Sequence, residues 1–350
     1  MSDKRYLGNI ITPNPTAPAG PYQSDAAPGV WSLEEAFTYT KAGLWPTAGN
    51  VQQRAIYAGG ETTGGAVDVI EFFNFASTGN SADFGDLTQS RGTGPAGIGG
   101  ETRGIIAGSG SSVSRSIDYI TITSAGNAAD FGDLIDRIAT DNTTDRSELG
   151  GLGNATRGVV VGSAPLSGAG GFEYLTIATL GDTVDFGDTT SNNSNNQCRG
   201  AGSSTRGIFG AFQSDQDQME YFTFATTGNS ITFGTLSGNN FANSAVVSSS
   251  TRCVWMGGNT TTDKIEYVTI ATTGNSATFG NLSAARRMGA GASNGTIGTI
   301  MGGDGGVSPF RVNVIEQITI ASTGNTIDWG DLTVAKRGAA GLSNSHGGLS

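Results

Sequence analysis

One tripeptide with catalytic associations recurs through this chain. Asp-Phe-Gly stands at Asp83–Gly85, Asp130–Gly132 and Asp185–Gly187, and Asp-Trp-Gly at Asp328–Gly330. In phosphoryl-transfer enzymes such an aspartate holds magnesium, but it works beside a glycine-rich loop, a Val-Ala-Ile-Lys strand and a His-Arg-Asp loop. None of these accompanies it here, and Thr232 and Thr278 replace the aspartate in two further copies. A second set is the arginines at one repeated position: Arg54, Arg103, Arg157, Arg206 and Arg252, with Ile297 in the sixth copy. A ring of guanidiniums could bind an anion or the acid group of a glycan. The alternative is structural, each arginine pairing with an acidic residue of a neighbouring repeat such as Glu173, Glu220 or Glu266. Repetition favours the structural alternative, because catalytic residues take different roles and so break symmetry.

The other reactive side chains are sparse. Asp86, Asp133, Asp188 and Asp331 follow the tripeptide and would suit calcium, but Thr235 and Asn281 take their place elsewhere, which points to turn capping. His346 is the only histidine. That rules out multi-histidine metal sites, and any Ser-His-Asp or Cys-His catalysis would have to use His346, at a place corresponding to the repeated arginine. Cys198 and Cys253 occupy different places in their repeats and read as reduced structural cysteines. The glycines around Gly97–Gly100 lack the Gly-Lys-Ser/Thr of a phosphate-binding loop. The expectation is a protein that is not an enzyme, with no catalytic, cofactor-binding or metal-binding residues and no cofactor.

Composition narrows the partners. Glycine is 56 of 350 residues, about twice the usual share of roughly 7%. Charged residues are 14%, a neutral, turn-rich balance of the β type. Net charge is −11. Gripping a phosphate backbone requires Lys and Arg to release counterions, so neither nucleic acid nor an anionic membrane is an expected partner. No run approaches the ~20 apolar residues of a membrane helix, so no insertion is expected. The first twenty residues carry no apolar core of a signal peptide. The expected route is release other than by secretion, such as cell lysis.

These residues sit in elements that repeat. The stretch Ile265–Arg287, IEYVTIATTGNSATFGNLSAARR, has close copies through most of the chain. Aligning its aromatic-glycine step gives Phe84, Phe131, Phe186, Phe233, Phe279 and Trp329, spaced by 47, 55, 47, 46 and 50 residues. A period of roughly 45–50 residues marks a propeller or similar array. One unit reads as four short strands: a glycine- and alanine-rich strand, a strand opening on the repeated arginine, an alternating strand such as IEYVTIAT, and a short strand carrying the aromatic. The Thr-Gly-Asn between the last two is a tight turn. Small residues suit strands converging on an axis, and the aromatic should fill the space between blades. Six copies predict six blades. The chain enters on a second-type strand at Arg54 and leaves on a first-type segment from Arg337, so one blade is built from both termini and the ring closes. Between the second and third aromatics the connection lengthens through 135–148, a candidate contact loop.

Residues 1–50 do not repeat. Five prolines make an extended arm whose apolar content is Tyr6, Leu7, Ile10 and Ile11. Those residues either add to a neighbouring molecule or fold back on the same chain. Ser32 and Glu35 form a capping box that starts a helix over about 32–42, ended by Gly43 and Pro46. Leu33 and Phe37 share one face, and Trp31 and Trp45 flank the helix as packing anchors. The organisation expected is an arm and helix over 1–50 and a six-bladed β-propeller over 51–350.

The double glycines (Gly59-Gly60, Gly257-Gly258, Gly302-Gly303), the acidic-aromatic pairs (Glu173-Tyr174, Glu220-Tyr221, Glu266-Tyr267) and the late aromatic followed by arginine (Trp329, Arg337) resemble the kelch family of propellers over about 54–350. Phe replaces Trp at most of the usual positions, and several repeats lose the double glycine. The Ser/Thr-x-Asp-x-Gly pattern, as at Ser81–Gly85, is similar to the structural turn of six-bladed sialidases. More narrowly, the units resemble repeat proteins of marine bacteriophage particles, and 29–37 with 43–50 resemble leaders of phage tail and fibre proteins. That resemblance implies a structural virion component (tail, fibre, knob or capsid surface), present in multiple copies. Residues 1–50, through Tyr6, Leu7, Ile10, Ile11, Trp31, Phe37 and Trp45, would dock it onto other virion proteins. The alternative is a glycan-binding module on the same particle, recognising a host-surface glycan.

Overall fold

The innermost strands explain the architecture. Their second residues are Gly97, Gly151, Gly200, Val246, Gly291 and Gly341. A Cβ on Gly97 would lie 2.5 Å from the carbonyl oxygen of Gly341, so neighbouring backbones approach as closely as only glycine permits. The computed structural model of the chain describes residues 32–41, 52–92, 94–109, 115–135, 146–162, 171–190, 197–212, 217–238, 241–259, 261–306 and 310–349.

Six four-stranded antiparallel sheets form a six-bladed β-propeller. Blade one joins Ala340–Ser343, Arg54–Ala58, Val69–Asn74 and Ala82–Asp86. Ala55 pairs with Ser343 and Ala58 with Ala340, so the two ends of the repeat region meet in one sheet, as the repeat phase required. Blade two runs Ala96–Gly99, Arg103–Ala107, Ser116–Thr121, Ala129–Asp133, and blade three Gly150–Gly153, Arg157–Val161, Gly171–Thr176, Val184–Asp188. Blade four is Arg199–Gly202, Arg206–Gly210, Gln218–Thr223, Ile231–Thr235. Blade five is Ala245–Ser248, Arg252–Met256, Lys264–Thr269, Ala277–Asn281. Blade six is Ala290–Ser293, Ile297–Met301, Val314–Thr319, Ile327–Asp331. The innermost strands are shorter than the glycine-rich sequence suggested. Arg286–Arg287 instead pairs with Asp304–Gly305, outside the blade.

A bulge recurs where the third strand meets the outer strand. Ile70 faces Gly85 and Glu71 faces Asp83, which leaves Phe84 as the extra residue. The bulge turns the aromatic inward while Ala82 and Asp83 stay exposed. Hydrophobic residues then gather between blades rather than within them. Phe84, Ile56 and Ile70 of blade one pack with Ile106, Ile120 and Ile122 of blade two. Equivalent clusters fill the other five junctions.

The outer strands are clasped to the next blade. The Gly126 amide donates to the Phe84 carbonyl at 2.7 Å, the Ala128 amide to the Asp86 carbonyl at 2.8 Å, and the Asp86 amide to Asn127 Oδ1 at 3.1 Å. The same three bonds recur around the ring, and blade six clasps blade one through Gly79, Asn80 and Ser81. The Gly-Asn of the repeated turn therefore serves two blades at once.

The chain divides into units 1–53 and 54–350. In the first, the helix Leu33–Lys41 opens on the expected capping box: the Ser32 amide donates to Glu35 Oε2 at 2.8 Å, and the Glu35 amide to Ser32 Oγ at 3.2 Å. Leu33 and Phe37 are exposed. Tyr6, Leu7, Ile10, Ile11, Trp31, Trp45 and residues 136–145 lie outside the described residues.

Candidate binding face

The five repeated arginines are inter-blade struts. Each guanidinium lies over the third-strand aromatic of its own blade: Arg54 on Phe72, Arg103 on Tyr119, Arg157 on Tyr174, Arg206 on Tyr221 and Arg252 on Tyr267, at 4.4–4.7 Å from the ring centre. Each then donates to a main-chain carbonyl of the next blade, as Arg103 does to Ile177 at 2.7 Å and Arg206 to Ile270 at 2.8 Å. The carboxylate partner that the sequence suggested is thus replaced by a ring and a carbonyl. Blade six makes the point by substitution. Ile297 stands for the arginine, Gln317 for the tyrosine and Trp329 for the phenylalanine, so seat and occupant change together.

The acids have other partners. Glu71, Asp118, Glu173, Glu220, Glu266 and Glu316 are all buried at the same third-strand position. Each accepts from the preceding blade. Thr333 Oγ1 donates to Glu71 at 2.6 Å, Thr88 Oγ1 to Asp118 at 2.7 Å and Thr190 Oγ1 to Glu220 at 2.6 Å. Four of the acids also hold a buried cation: Lys336 on Glu71, Arg91 on Asp118, Arg146 on Glu173 and Arg286 on Glu316. Burial alone would raise the Glu71 carboxyl, but Lys336 and the hydroxyls of Ser81 and Thr333 hold it below its ordinary value. Arg146 also donates through Nη1 to the Ile135 carbonyl at 2.9 Å. The sequence carries a signal for this network in the Ser or Thr ten residues after the acid, at Ser81, Thr183, Ser230, Ser276 and Thr326.

The tripeptide aspartates Asp83, Asp130, Asp185 and Asp328 are exposed on outer strands. The acid after each glycine contributes its main-chain amide to the clasp, which explains why Thr235 and Asn281 replace it. Among the described residues no group of three His, Cys, Asp or Glu could hold a metal, and no helix is long and apolar enough to cross a membrane. Burial pushes the Cys198 thiol up to about 12 and raises that of Cys253.

The axis is nearly filled. Cavities of about 50 and 40 Å³ lie along it, well under the ~300–1,000 Å³ of small-molecule sites. None of the five arginines lines them. One end is stopped by the C-terminal turn Gly347–Leu349. His346 reaches the Gly99 carbonyl at 2.8 Å through Nε2 and accepts the Gly348 amide at 3.1 Å on Nδ1. These bonds describe a neutral ring with its proton on Nε2, and burial lowers its pKa. The repeated-arginine place is filled by Arg54 from the other terminus, so His346 is a plug residue rather than that arginine's counterpart.

The two faces of the disc differ. On one, the links from first to second strands are three residues in each case (100–102, 154–156, 203–205, 249–251, 294–296), and the third-to-fourth turns are all seven (75–81 through 320–326). On the other face, second-to-third links run from 211–217 to 302–313, and blade-to-blade links from 282–289 to 134–149. Link length is thus constant on the first face and varies on the second.

On the variable face, blades five, six and one meet in a cleft of about 750 Å³ lined by Thr62, Thr63, Arg287, Asp304, Phe310, Arg311, Asn313, Val334, Ala335 and Arg337. Arg337 joins its walls. Its Nη1 donates to Asp304 Oδ2 at 2.6 Å and its Nε to Glu61 Oε2 at 2.9 Å. Burial opposes its charge, yet the two carboxylates hold its pKa above the usual value. Arg311 lies 3.3 Å from Glu61, and Arg287 3.5 Å from Asp304. The sequence signal was an acid directly after a double glycine, in Gly59-Gly60-Glu61 and Gly302-Gly303-Asp304.

No protein-family model matches the chain, and no curated protein matches it. Fold and surface together define a β-propeller of a kind consistent with a structural or binding module.

Proposed function

We propose that this protein is a non-enzymatic structural component of a bacteriophage virion, a tail, fibre, knob or capsid-surface protein that displays a rigid propeller. The observation that carries this reading is the division of the disc into a constant face and a variable one. Repeated residues are spent on holding blades together, through arginine struts, turn clasps and buried acids, while the variable connectors gather on one surface. Scaffolds that bind do so with loops set on a rigid frame. The resemblance of the repeats, and of 29–37 with 43–50, to phage particle proteins supplies the biological setting. In it, residues 1–50 attach the protein, in multiple copies, to other virion proteins. The protein is made in the host cytoplasm and carried on the particle, without a cofactor and without nucleic-acid or membrane partners.

Deleting residues 1–50 tests the attachment. All the blade strands lie in 54–350, so the truncated protein should melt cooperatively yet fail to enter particles. Normal incorporation of the truncated chain would refute the docking role. A second reading, a glycan-binding module on the same particle, is favoured by one observation: Phe310 and Val334 are exposed beside the charged groups of the cleft.

A further inference from the structure

The cleft between blades six and one departs from everything the ring repeats. Its connectors are zipped by main-chain bridges, Glu61 with Arg337 and Asp304 with Arg311, and by the short pairing of Arg286–Arg287 with Asp304–Gly305. The main chain that carries these side chains is therefore paired across the connectors before any ligand arrives. Its volume of about 750 Å³ falls inside the ~300–1,000 Å³ range of small-molecule sites.

The charges do not cancel. Arg287, Arg311 and Arg337 face two carboxylates, Glu61 and Asp304. Arg337 is engaged by both acids, and Arg311 by Glu61. Arg287 is 42% exposed and touches Asp304 at only 3.5 Å, which leaves most of its five donors to the cleft. The surplus is one positive charge, in a chain whose net charge is −11. Beside it stand an apolar wall and polar groups: Phe310, 59% exposed, and Val334, 51% exposed, with Thr62, Thr63 and Asn313.

A ligand fitted to this set has one carboxylate, one apolar face and several hydroxyls. We propose that the cleft binds an acidic sugar unit of a polysaccharide. Arg287, with Arg311 behind it, takes the carboxylate; Phe310 supports the apolar face of the ring; Thr62, Thr63 and Asn313 meet the hydroxyls. A planar guanidinium pairs with a carboxylate through two parallel bonds, and an exposed aromatic stacks on the C–H face of a pyranose. A polyphosphate would require more cations than one surplus arginine. The proposal rests on the glycan-binding reading and supplies its substrate class.

The test is calorimetric titration of the full-length protein with tetragalacturonate, its methyl ester, tetraglucuronate, sialyllactose, succinate and inorganic phosphate. Tetragalacturonate should bind saturably, and the methyl ester at least about tenfold more weakly, as loss of a charged pair implies. Arg287→Ala and Phe310→Ala should each weaken tetragalacturonate about tenfold while leaving the melting temperature unchanged, because both side chains are exposed. Equal binding of the methyl ester would overturn the carboxylate role. Displacement by succinate or phosphate at equal affinity would overturn the sugar. Absence of binding for tetragalacturonate, tetraglucuronate and sialyllactose alike would overturn the site. None of these results bears on virion attachment, which the deletion of residues 1–50 decides separately.

Discussion

Two glycines separate backbone strain from inter-blade contact. Gly132, in the outer strand of blade two, has φ +149°, and Gly181, in the facing turn of blade three, has φ +146°. Both conformations are nearly closed to other residues, so alanine at either costs about 1–3 kcal/mol of strain. The spaces around them differ. A Cβ on Gly181 would meet nothing within 4 Å, whereas one on Gly132 would lie 2.5 Å from the Gly181 carbonyl oxygen and 3.0 Å from the Asp182 amide nitrogen. That oxygen is backbone and cannot swing aside. Overpacking adds about 1–3 kcal/mol. Pushing the strand away also weakens the Gly181-to-Phe131 and Thr183-to-Asp133 bonds, each 2.9 Å, worth about 0.5–1.5 kcal/mol apiece. The smaller unfolded-state entropy of alanine favours both variants equally and cancels. Gly132→Ala should therefore cost about 2–6 kcal/mol more than Gly181→Ala. At roughly 2 °C per kcal/mol for a large domain, this is a gap of about 4–12 °C in melting temperature. Scanning calorimetry of both variants at one scan rate measures it. Equal losses, or a greater loss for Gly181→Ala, would show that the outer-strand glycine is kept for its φ alone and that the clasp contributes little.

A double-mutant cycle on Arg206 and Tyr221 should return a coupling of about 0.5–2 kcal/mol in denaturant unfolding; Arg206→Lys should recover little of it, because lysine has no planar face to lay on the ring. Arg91→Met should cost about 3–5 kcal/mol, since it leaves the fully buried Asp118 without its cation; replacing both partners by apolar residues should cost less, as urea titrations of the two variants would reveal. Stability should fall with acid in two steps. His346 and Glu71 both have folded pKa values below their ordinary 6.5 and 4.5. Each therefore contributes stability that is full above its ordinary value and lost as pH falls through the depressed one. Melting temperatures across pH should show the first decline below about 6.5, where protonated Nδ1 opposes the Gly348 amide. His346→Gln should remove that first decline and leave the second.

The ring was legible because it is written in phase. The aromatic-glycine step counts the blades, and the mismatch between entry at Arg54 and exit after Arg337 dictates the shared blade. The roles of individual side chains were less legible, because each acts across a blade junction that sequence spacing does not display. The arginines looked like partners for Glu173, Glu220 and Glu266. Their true seats lie on the third strand of the same blade and on a carbonyl some 65–70 residues onward, as for Arg206 with Ile270 and Arg252 with Ile320. The joint change to Ile297, Gln317 and Trp329 held that information. The Thr-Gly-Asn reads in sequence as a tight turn; the hydrogen-bonded turn lies earlier, where the Ser77 amide meets the Asn74 carbonyl, and Gly79 and Asn80 make the clasp instead. The His346 plug was hidden because Arg54, from the far end of the chain, occupies the repeat position beside it.

Symmetry decides where function can reside on such a molecule. A residue present in every blade is accounted for by what every blade requires, and here those needs are met by struts, clasps and buried acids. The inner strands leave cavities of only about 50 and 40 Å³ along the axis, and Gly347–Leu349 stops one end, which leaves little space there for a ligand that the symmetry could surround. What remains is the face on which the connectors differ. Within it, the cleft at Asp304 has the arrangement hardest to explain by packing alone. One arginine would suffice to tie Glu61 to Asp304, and Arg337 does so. Arg311 adds a second tie to Glu61, and Arg287, half-exposed with one long contact, adds a charge that the fold does not need. Exposed Phe310 beside it is a second group without a structural task. Two such residues facing one cleft, on the face where the connector lengths differ, are the reason the proposed acidic-sugar site is set at the junction of blades six and one.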